Sequence, residues 1–330
     1  MAARDDNSSG EDRLIARFFK PLAKAPGALA LSDDAAFIKP PAGCDLVLTT
    51  DAIVGGVHFF DDDPPDAVAQ KSLRVNLSDL AAKGAKPLGF LLSLALPESA
   101  GDDWLTSFAK GLKADADQFA CPLFGGDTVR TPGPVTISVA MFGSVPDGRM
   151  VRRAGAKPGD RVMVTGTIGD AALGMQLRKG STLKLAPAQR EHLLSRYLLP
   201  QPRSKLADAI REHASAAMDV SDGLAGDLGK LARVSGVAAE IAVAKIPLSE
   251  AAKAALQSDS ALMETILTGG DDYEIVCTAR PGHVAPLRAA AEAAGVELTE
   301  IGVISAGAGA RFVGADGKAL AFKHASFSHF

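Results

Sequence analysis

Acidic residues recur in this chain where an apolar segment meets Gly, Ser or Thr. Ten of them do so, in Ser32-Asp33-Asp34, Thr49-Thr50-Asp51, Asn76-Leu77-Ser78-Asp79, Gly125-Gly126-Asp127-Thr128, Asp219-Val220-Ser221-Asp222-Gly223 and Gly269-Gly270-Asp271-Asp272-Tyr273-Glu274. Asp51 ends an apolar strand-like run, and Asp79 lies inside the apolar helical segment VNLSDLAA. Carboxylates brought together from such places repel one another and face a large desolvation cost unless a cation joins them. Hard oxygen donors beside Gly, Ser and Thr suit Mg²⁺. The expectation is a fold that gathers distant segments around a magnesium–phosphate site, with phosphoryl transfer as the leading chemistry.

Each motif has a plainer reading. Asp33 could cap a turn, and Asp79 could pair with Lys83 four residues on along a helix. Asp127 could brace a Gly turn, and Asp222 could cap the helix starting near Leu224. Singly these readings are as good as the metal one; together they leave the shared apolar setting unexplained. Gly125-Gly126-Asp127-Thr128 offers backbone N–H groups to a phosphate as well as a carboxylate to its metal. Gly166-x-x-Gly169-Asp170 could cradle an anion, but the permissive geometry of Gly favours a tight strand-to-helix turn. Arg153 could hold a nucleotide phosphate, or be a solvated linker cation like Arg149 and Arg152. His58 sits in an apolar stretch with no second His or Cys at ligand spacing, which disfavours zinc.

Several function classes are excluded. Net charge is −4 and no basic stripe stands out, so nucleic acid is not an expected partner. No apolar run reaches the roughly 18 residues of a membrane span, and the polar start MAARDDNSSGED does not read as a signal peptide. Cys44, Cys121 and Cys277 are solitary, forming neither a disulfide framework nor a soft-metal cluster, which places the chain in a reducing cytoplasm. There is no G-x-x-x-x-G-K-[ST] loop, no protein-kinase motif set and no G-x-G-x-x-G after a strand.

With 330 residues, 47% of them hydrophobic and only 5% aromatic, the chain suits two closely packed α/β domains. Residues 1–10 read as disordered. Hydrophobic periodicity predicts helices over 11–20, 67–83 (with Gly84 as C-cap), 102–120, 187–197, 204–213, 224–235 and 281–294. A further helix after Gly169 is expected to be capped by Asp170. Strands are expected over 44–51, 88–96, 135–145, 161–165, 240–246 and 273–279, with Gly-turned strands after Val296. The Pro-, Gly- and Arg-rich stretch 146–160 sets the boundary between domains 1–148 and 149–330. The fold class is α/β of the α+β type, with two mixed-sheet domains.

In this order the motifs resemble the bacterial thiamine-monophosphate kinase family. The most specific pieces are Thr50-Asp-x-x-Val-x-Gly-Val-His58-Phe59, Asn76-Leu-Ser-Asp-Leu-Ala-Ala82, Gly125-Gly-Asp-Thr128, Gly155-Ala-Lys-Pro-Gly-Asp160 and Asp219-Val-Ser-Asp-Gly-Leu224. The likeness runs from Gly10 to His329-Phe330. Single pieces recur in a wider superfamily with aminoimidazole ribonucleotide synthetase, selenophosphate synthetase and a hydrogenase maturation factor; the ordered set points to the kinases. The resemblance implies a homodimer pairing through the N-terminal sheets, with ATP in a cleft between domains. It implies magnesium ligands at Asp34, Thr49, Thr50, Asp51, Asp79, Asp127, Asp219 and Asp222. It implies nucleotide contacts at Gly126, Asp127, Arg153 and Ser221, and thiamine phosphate contacts at His58, Asp271 and Phe327. Ser32 stands where the family has Gly, Asp271 where it has Glu, and Phe327 lacks the hydroxyl of the family's Tyr.

The reaction this implies moves the γ-phosphoryl group of ATP to thiamine monophosphate, with Asp222, Asp127 and Arg153 as the catalytic set. Both reactants are anionic, so metal ions and Arg153 must offset their repulsion. The alternatives are another ATP-dependent enzyme of the superfamily, a non-catalytic nucleotide- or metal-binding homologue, and a structural protein with acidic turns.

Overall fold

The computed structural model describes residues 10–324, 326 and 327. The expected disorder of 1–10 therefore falls outside the described residues except at Gly10, which opens a helix, and the terminal His329-Phe330 lies outside them too. The chain divides into two compact units, Met1–Asn76 with Pro87–Ser144 and Leu77–Lys86 with Val145–Phe330.

In the first unit α1 (Gly10–Leu14) passes into a wide π turn at Ile15–Phe19 and a tight 3₁₀ turn at Lys20–Leu22, not the regular helix expected over 11–20. Pro21 lacks the N–H that a continuing helix needs. Then come β1 (Cys44–Val54), α2 (Pro65–Ala82), β2 (Lys86–Leu96), α3 (Asp102–Gln118), β3 (Leu123–Arg130) and β4 (Thr136–Pro146). The four strands form one sheet in the order β1-β4-β2-β3, with β2 and β3 parallel. Phe90, Leu92 and Leu94 of β2 and Ile137, Val139 and Met141 of β4 are buried at the period of two that puts them on one face. Leu73 and Val75 of α2 and Phe108 and Leu112 of α3 are buried as well. Arg74 of α2 donates to both oxygens of Asp115 on α3, at 2.6 and 2.9 Å.

The second unit holds β5 (Arg161–Thr165), α4 (Asp170–Arg178), α5 (Pro187–Leu198), α6 (Ala207–His213), β6 (Ala214–Val220) and α7 (Leu224–Ser235). It continues with β7 (Ala238–Ala242), α8 (Glu250–Ser258), α9 (Leu262–Thr268), β8 (Glu274–Ala279), α10 (Pro281–Ala293), β9 (Leu298–Ser305) and β10 (Gly309–Val313). The six-stranded sheet runs β10-β7-β9-β5-β8-β6, parallel between β10 and β7 and antiparallel elsewhere. Val162, Val164, Met218 and Val276 pack with Leu173, Leu228 and Ile266 of the helices on one face. The alternate residues Met163, Ala217, Ile275 and Cys277 pack with Ile210, Leu287 and the α2 end residues Ala81 and Ala82 on the other. The result is an α/β protein with two sheets.

Several local expectations need correction. Residues 204–206 form a 3₁₀ turn ahead of α6, and β7 ends at Ala242, where a further 3₁₀ turn begins. Asp170 is the first residue of α4 and does not cap it; the cap comes from Asp272, whose carboxylate accepts from the Gly169 and Ala171 N–H groups at 2.7 and 3.4 Å. Gly166 and Gly169 make the turn expected of them, at φ +57° and +87°. Among the described residues no helix is long and apolar enough to cross a membrane.

Candidate functional site

In the first unit a cavity of about 790 Å³ is lined by Asp33, Asp34, Gly126 and Asp127, with Leu48 and Phe142 among its apolar walls. The Gly turn that Asp127 could have braced is instead part of a strand. Gly125-Gly126-Asp127-Thr128 lies within β3, in parallel register with Leu91, Leu92, Ser93 and Leu94. A Cβ on Gly126 would stand 1.8 Å from the Leu92 carbonyl oxygen, so Gly is needed there for close strand approach. β3 is the outer strand of its sheet, paired on one side with β2. Asp33 does brace a turn, accepting from the Ala35 N–H at 3.4 Å.

Strand alternation separates the three candidates on β1. Thr49 and Asp51 share a face with buried Val47 and Ile53, whereas Thr50 points the other way, with exposed Leu46 and Leu48. The Asp51 N–H donates to the Asn76 side chain at 3.1 Å, fixing the acidic end of β1 to α2. His58 Nδ1 accepts from the Val54 N–H at 3.0 Å, and its carbonyl accepts from Lys71. That acceptor role places the ring proton on Nε2.

In the second unit the structure brings together Asp79, Asp219, Ser221, Asp222, Asp271 and Phe327. Asp219, at the end of β6, is 4% exposed. Burial pushes its carboxyl well above the ordinary range, and the Asp79 and Asp227 carboxylates push it further. The Asp271 N–H donates to the Ser221 carbonyl at 2.9 Å, the Tyr273 N–H to Val220 at 2.9 Å and the Phe327 N–H to Asp222 at 3.0 Å. A Cβ on Gly270 would meet the Ser221 carbonyl at 2.4 Å. Asp271 and Tyr273 are held at φ +74° and +50°, conformations that cost non-Gly residues of order 1–3 kcal/mol and persist only where surroundings enforce them. The enforcing contacts flank them. Asp272 caps α4, and buried Glu274 accepts from Arg203 Nε at 2.6 Å, Arg196 at 2.8 Å and the Thr165 hydroxyl at 2.6 Å.

Asp222 does not cap α7, whose N-cap is Gly223. Its N–H donates to Asp227 at 2.9 Å, and Lys230 bonds both Asp222 and Asp227. Lys83, four residues after Asp79, is half-buried, not on an open helix surface. Its ammonium reaches the Ala217 carbonyl at 2.8 Å, and its pKa is lowered, first by burial and also by Arg153, against the raising pull of Asp219 and Asp79. Arg153 itself is exposed. Asp227, Lys230, Arg196 and Arg203 are the site-supporting residues that motif reading missed, and the supporting roles of Lys83 and Asp272 were not read from their motifs. Asp227 and Lys230 carry the one local signal, a carboxylate and an ammonium three apart just behind an acidic motif.

Among the described residues no three His, Cys, Asp or Glu side chains are gathered closely enough to cage a metal ion. Mg²⁺ bound to phosphates does not need a protein cage; it keeps several waters and takes one or two carboxylates. Asp219 and Asp79, an oxygen-donor pair whose mutual repulsion a cation would relieve, fit that requirement.

The chain matches known proteins over most of its length. Residues 32–145 match the family described as AIR synthase related protein, N-terminal domain, and 157–314 match the corresponding C-terminal domain. A thiamine-monophosphate kinase from Caulobacter vibrioides is 45% identical over 299 residues, covering 89% of this chain and 84% of that protein. The crystal structure of thiamine-monophosphate kinase from Stenotrophomonas maltophilia superposes with a TM-score of 0.82 at 40% identity, covering 94% and 96% of the two chains. The structure of AaThiL complexed with AMPPCP and TMP superposes at 0.78 with 34% identity, covering 90% and 91%.

Proposed function

We propose, for a chain that belongs to the thiamine-monophosphate kinase family of AIR synthase related proteins, that it transfers the γ-phosphoryl group of ATP to the phosphate of thiamine monophosphate, giving thiamine diphosphate and ADP. The observation that carries this reading is buried Asp219 beside Asp79, an anionic cluster that calls for a cation, in a chain whose relative was solved with AMPPCP and TMP.

Asp34, Thr49, Thr50, Asp51 and Asp127 of the first unit and Asp79, Asp219 and Asp222 of the second are the proposed Mg²⁺ ligands. Thr50, facing away from Asp51, would serve through its main-chain carbonyl. When bound, Mg²⁺ supplies neutralising charge to the phosphate oxygens. Gly126, Asp127, Arg153 and Ser221 hold the nucleotide, and the exposed Arg153 guanidinium is suited to a phosphate. His58 offers its Nε2 proton, Asp271 a carboxylate for the positive thiazolium, and Phe327, 47% exposed, a ring face for the heterocycle. Asp222, Asp127 and Arg153 are the residues most directly tied to turnover. The acceptor phosphate loses its second proton near pH 6 and is largely dianionic at neutrality, so no side chain need act as general base. What the chain must provide is alignment and charge.

Residues 1–148 are assigned to ATP, Mg²⁺ and dimerisation, and 149–330 to further nucleotide and substrate contacts. A homodimer is supported by β1, the outer strand of its sheet, which exposes Leu46 (42%) and Leu48 (65%). A cytoplasmic setting is supported by three free cysteines, two of them buried with thiols pushed up to about 12 by burial.

The test is ATP consumption with thiamine monophosphate and Mg²⁺. Asp222→Asn should lose turnover while keeping its circular dichroism and melting temperature, because Asp227 still holds Lys230. Full activity in that variant would remove the metal role of Asp222. ATP turnover only with a different acceptor would favour another enzyme of the superfamily, and ATP–Mg²⁺ binding without any turnover a non-catalytic homologue.

A further inference from the structure

We propose that His213 and His283 form a second metal site, for a borderline divalent transition ion of the Zn²⁺ class. Their Nδ1 atoms are 3.3 Å apart, with ring centroids at 5.5 Å and planes inclined by 54°. Two imidazole nitrogens bound to one tetrahedral zinc, each at 2.0–2.1 Å, stand about 3.3 Å apart. The pair therefore already has the separation that chelation of one ion imposes.

The site is preorganised. His213 is the last residue of α6 and His283 lies in the first turn of α10. These helices are packed together in one apolar cluster through Ile210, Leu287 and Ala291, each at most 1% exposed. Holding the rings near each other thus adds little to the cost of binding. The His213 side chain is 21% exposed, so an ion and the waters completing its shell can enter. Glu212 Oε2 stands 3.9 Å from His213 Nε2, on the side of the ring away from His283. Imidazole selects against Mg²⁺, which requires oxygen, so Mg²⁺ would not compete for this pair, and saturating Mg²⁺ keeps the carboxylate cluster occupied. With two protein ligands the binding is moderate, and its effect is to clamp α6 to α10. Seventy residues separate the two histidines in sequence, which is why ligand spacing does not reveal them.

The experiment uses the full chain stripped of metal and returned to saturating Mg²⁺, then titrated with Co²⁺. Expected are one equivalent giving tetrahedral visible absorption, a melting temperature that rises with free Co²⁺, and broadening of the His213 and His283 ring-proton signals. His213→Gln and His283→Gln should each lose the absorption and the thermal shift while keeping Mg²⁺-dependent ATP turnover. If wild type shows no such absorption or ring broadening, or if both variants retain the thermal shift in full, the contact is an ordinary imidazole–imidazole hydrogen bond and the proposal fails. The ring-proton readout needs no substitution and decides the question even if a variant does not fold.

Discussion

Lys83 donates its ammonium to the main-chain carbonyl of Ala217, 2.8 Å away, two residues before Asp219 on the same face of β6. The chain thus carries its own cation beside the buried carboxylate of Asp219 and the half-buried one of Asp79. Lys83→Met removes a charge-assisted hydrogen bond worth about 1.5–3 kcal/mol. It also removes the positive charge that competes with a metal ion. In EDTA the variant should unfold at lower urea than wild type, and the stabilisation gained on adding Mg²⁺ should be larger than in wild type. An unchanged Mg²⁺ increment would mean that Lys83 does not act on the cluster electrically.

Gly223 joins β6 to α7 at φ +115°, and a Cβ there would stand 2.6 Å from the Thr268 main chain. Gly223→Ala should cost at least about 1–3 kcal/mol from the backbone conformation, before the clash is counted. By prising the 219–222 turn from the 268–272 turn it should also lower turnover. Gly229, inside α7, has no neighbour within 4 Å of the place a methyl group would occupy. Gly229→Ala should therefore stabilise by about 0.5–1 kcal/mol, as Ala does over Gly within a helix. Urea denaturation of both variants measures the contrast; equal effects would show that the Gly223 turn relaxes freely.

What was legible in the sequence followed from short-range rules. α7 lies over 224–235 as the apolar spacing predicts, and β5 over 161–165. β3 was hidden because Gly125-Gly126 reads as a turn; only pairing with Leu91 and Leu92, some 34 residues away, makes it a strand. The acidic motifs were visible as motifs. What positions them was not, since Asp272 reaches back 103 residues to cap α4 and Glu274 gathers Arg196 and Arg203 from α5 and beyond it. Such contacts have no sequence period, and a motif string cannot say which of its acids faces a ligand and which braces the backbone. In Gly269-Gly270-Asp271-Asp272-Tyr273-Glu274 the bracing acids are Asp272 and Glu274.

Glu274 is fully buried and is the shared carboxylate of two nearly buried arginines, Arg196 and Arg203. Removing one partner from such a cluster typically costs about 3–5 kcal/mol, because the remaining charges stay desolvated. Glu274→Gln should lower stability by about that amount in a urea titration. Where the variant still folds, loosening of the 271–273 turn should raise KM for thiamine monophosphate more than it lowers kcat. A wild-type melting curve together with wild-type KM would show that the cluster neither holds the fold nor sets the turn.

The Asp170–His192 pair should make stability depend on pH in two separate windows. His192 Nε2 is 3.0 Å from an Asp170 oxygen, and its pKa is raised, first by that hydrogen bond. The imidazolium is therefore favoured in the folded chain. Its contribution is complete below the unfolded value near 6.5 and is lost as pH rises through the higher folded value. Asp170 shifts the other way. Burial opposes its ionisation, but hydrogen bonds from His192, Ser249 and Thr167 outweigh burial and lower its pKa. Its contribution is present above the unfolded value of 3.8 and disappears as pH falls through the lower folded value. His192→Gln should flatten the first window, so the difference in urea midpoint between wild type and variant shrinks from pH 6 upward as the wild-type ring deprotonates. The acid limb should persist in the variant in weakened form, because Ser249 and Thr167 still hold the carboxylate. A midpoint difference that stays constant, or grows, on going from pH 6 to alkaline pH would reverse the sign assigned to this pair.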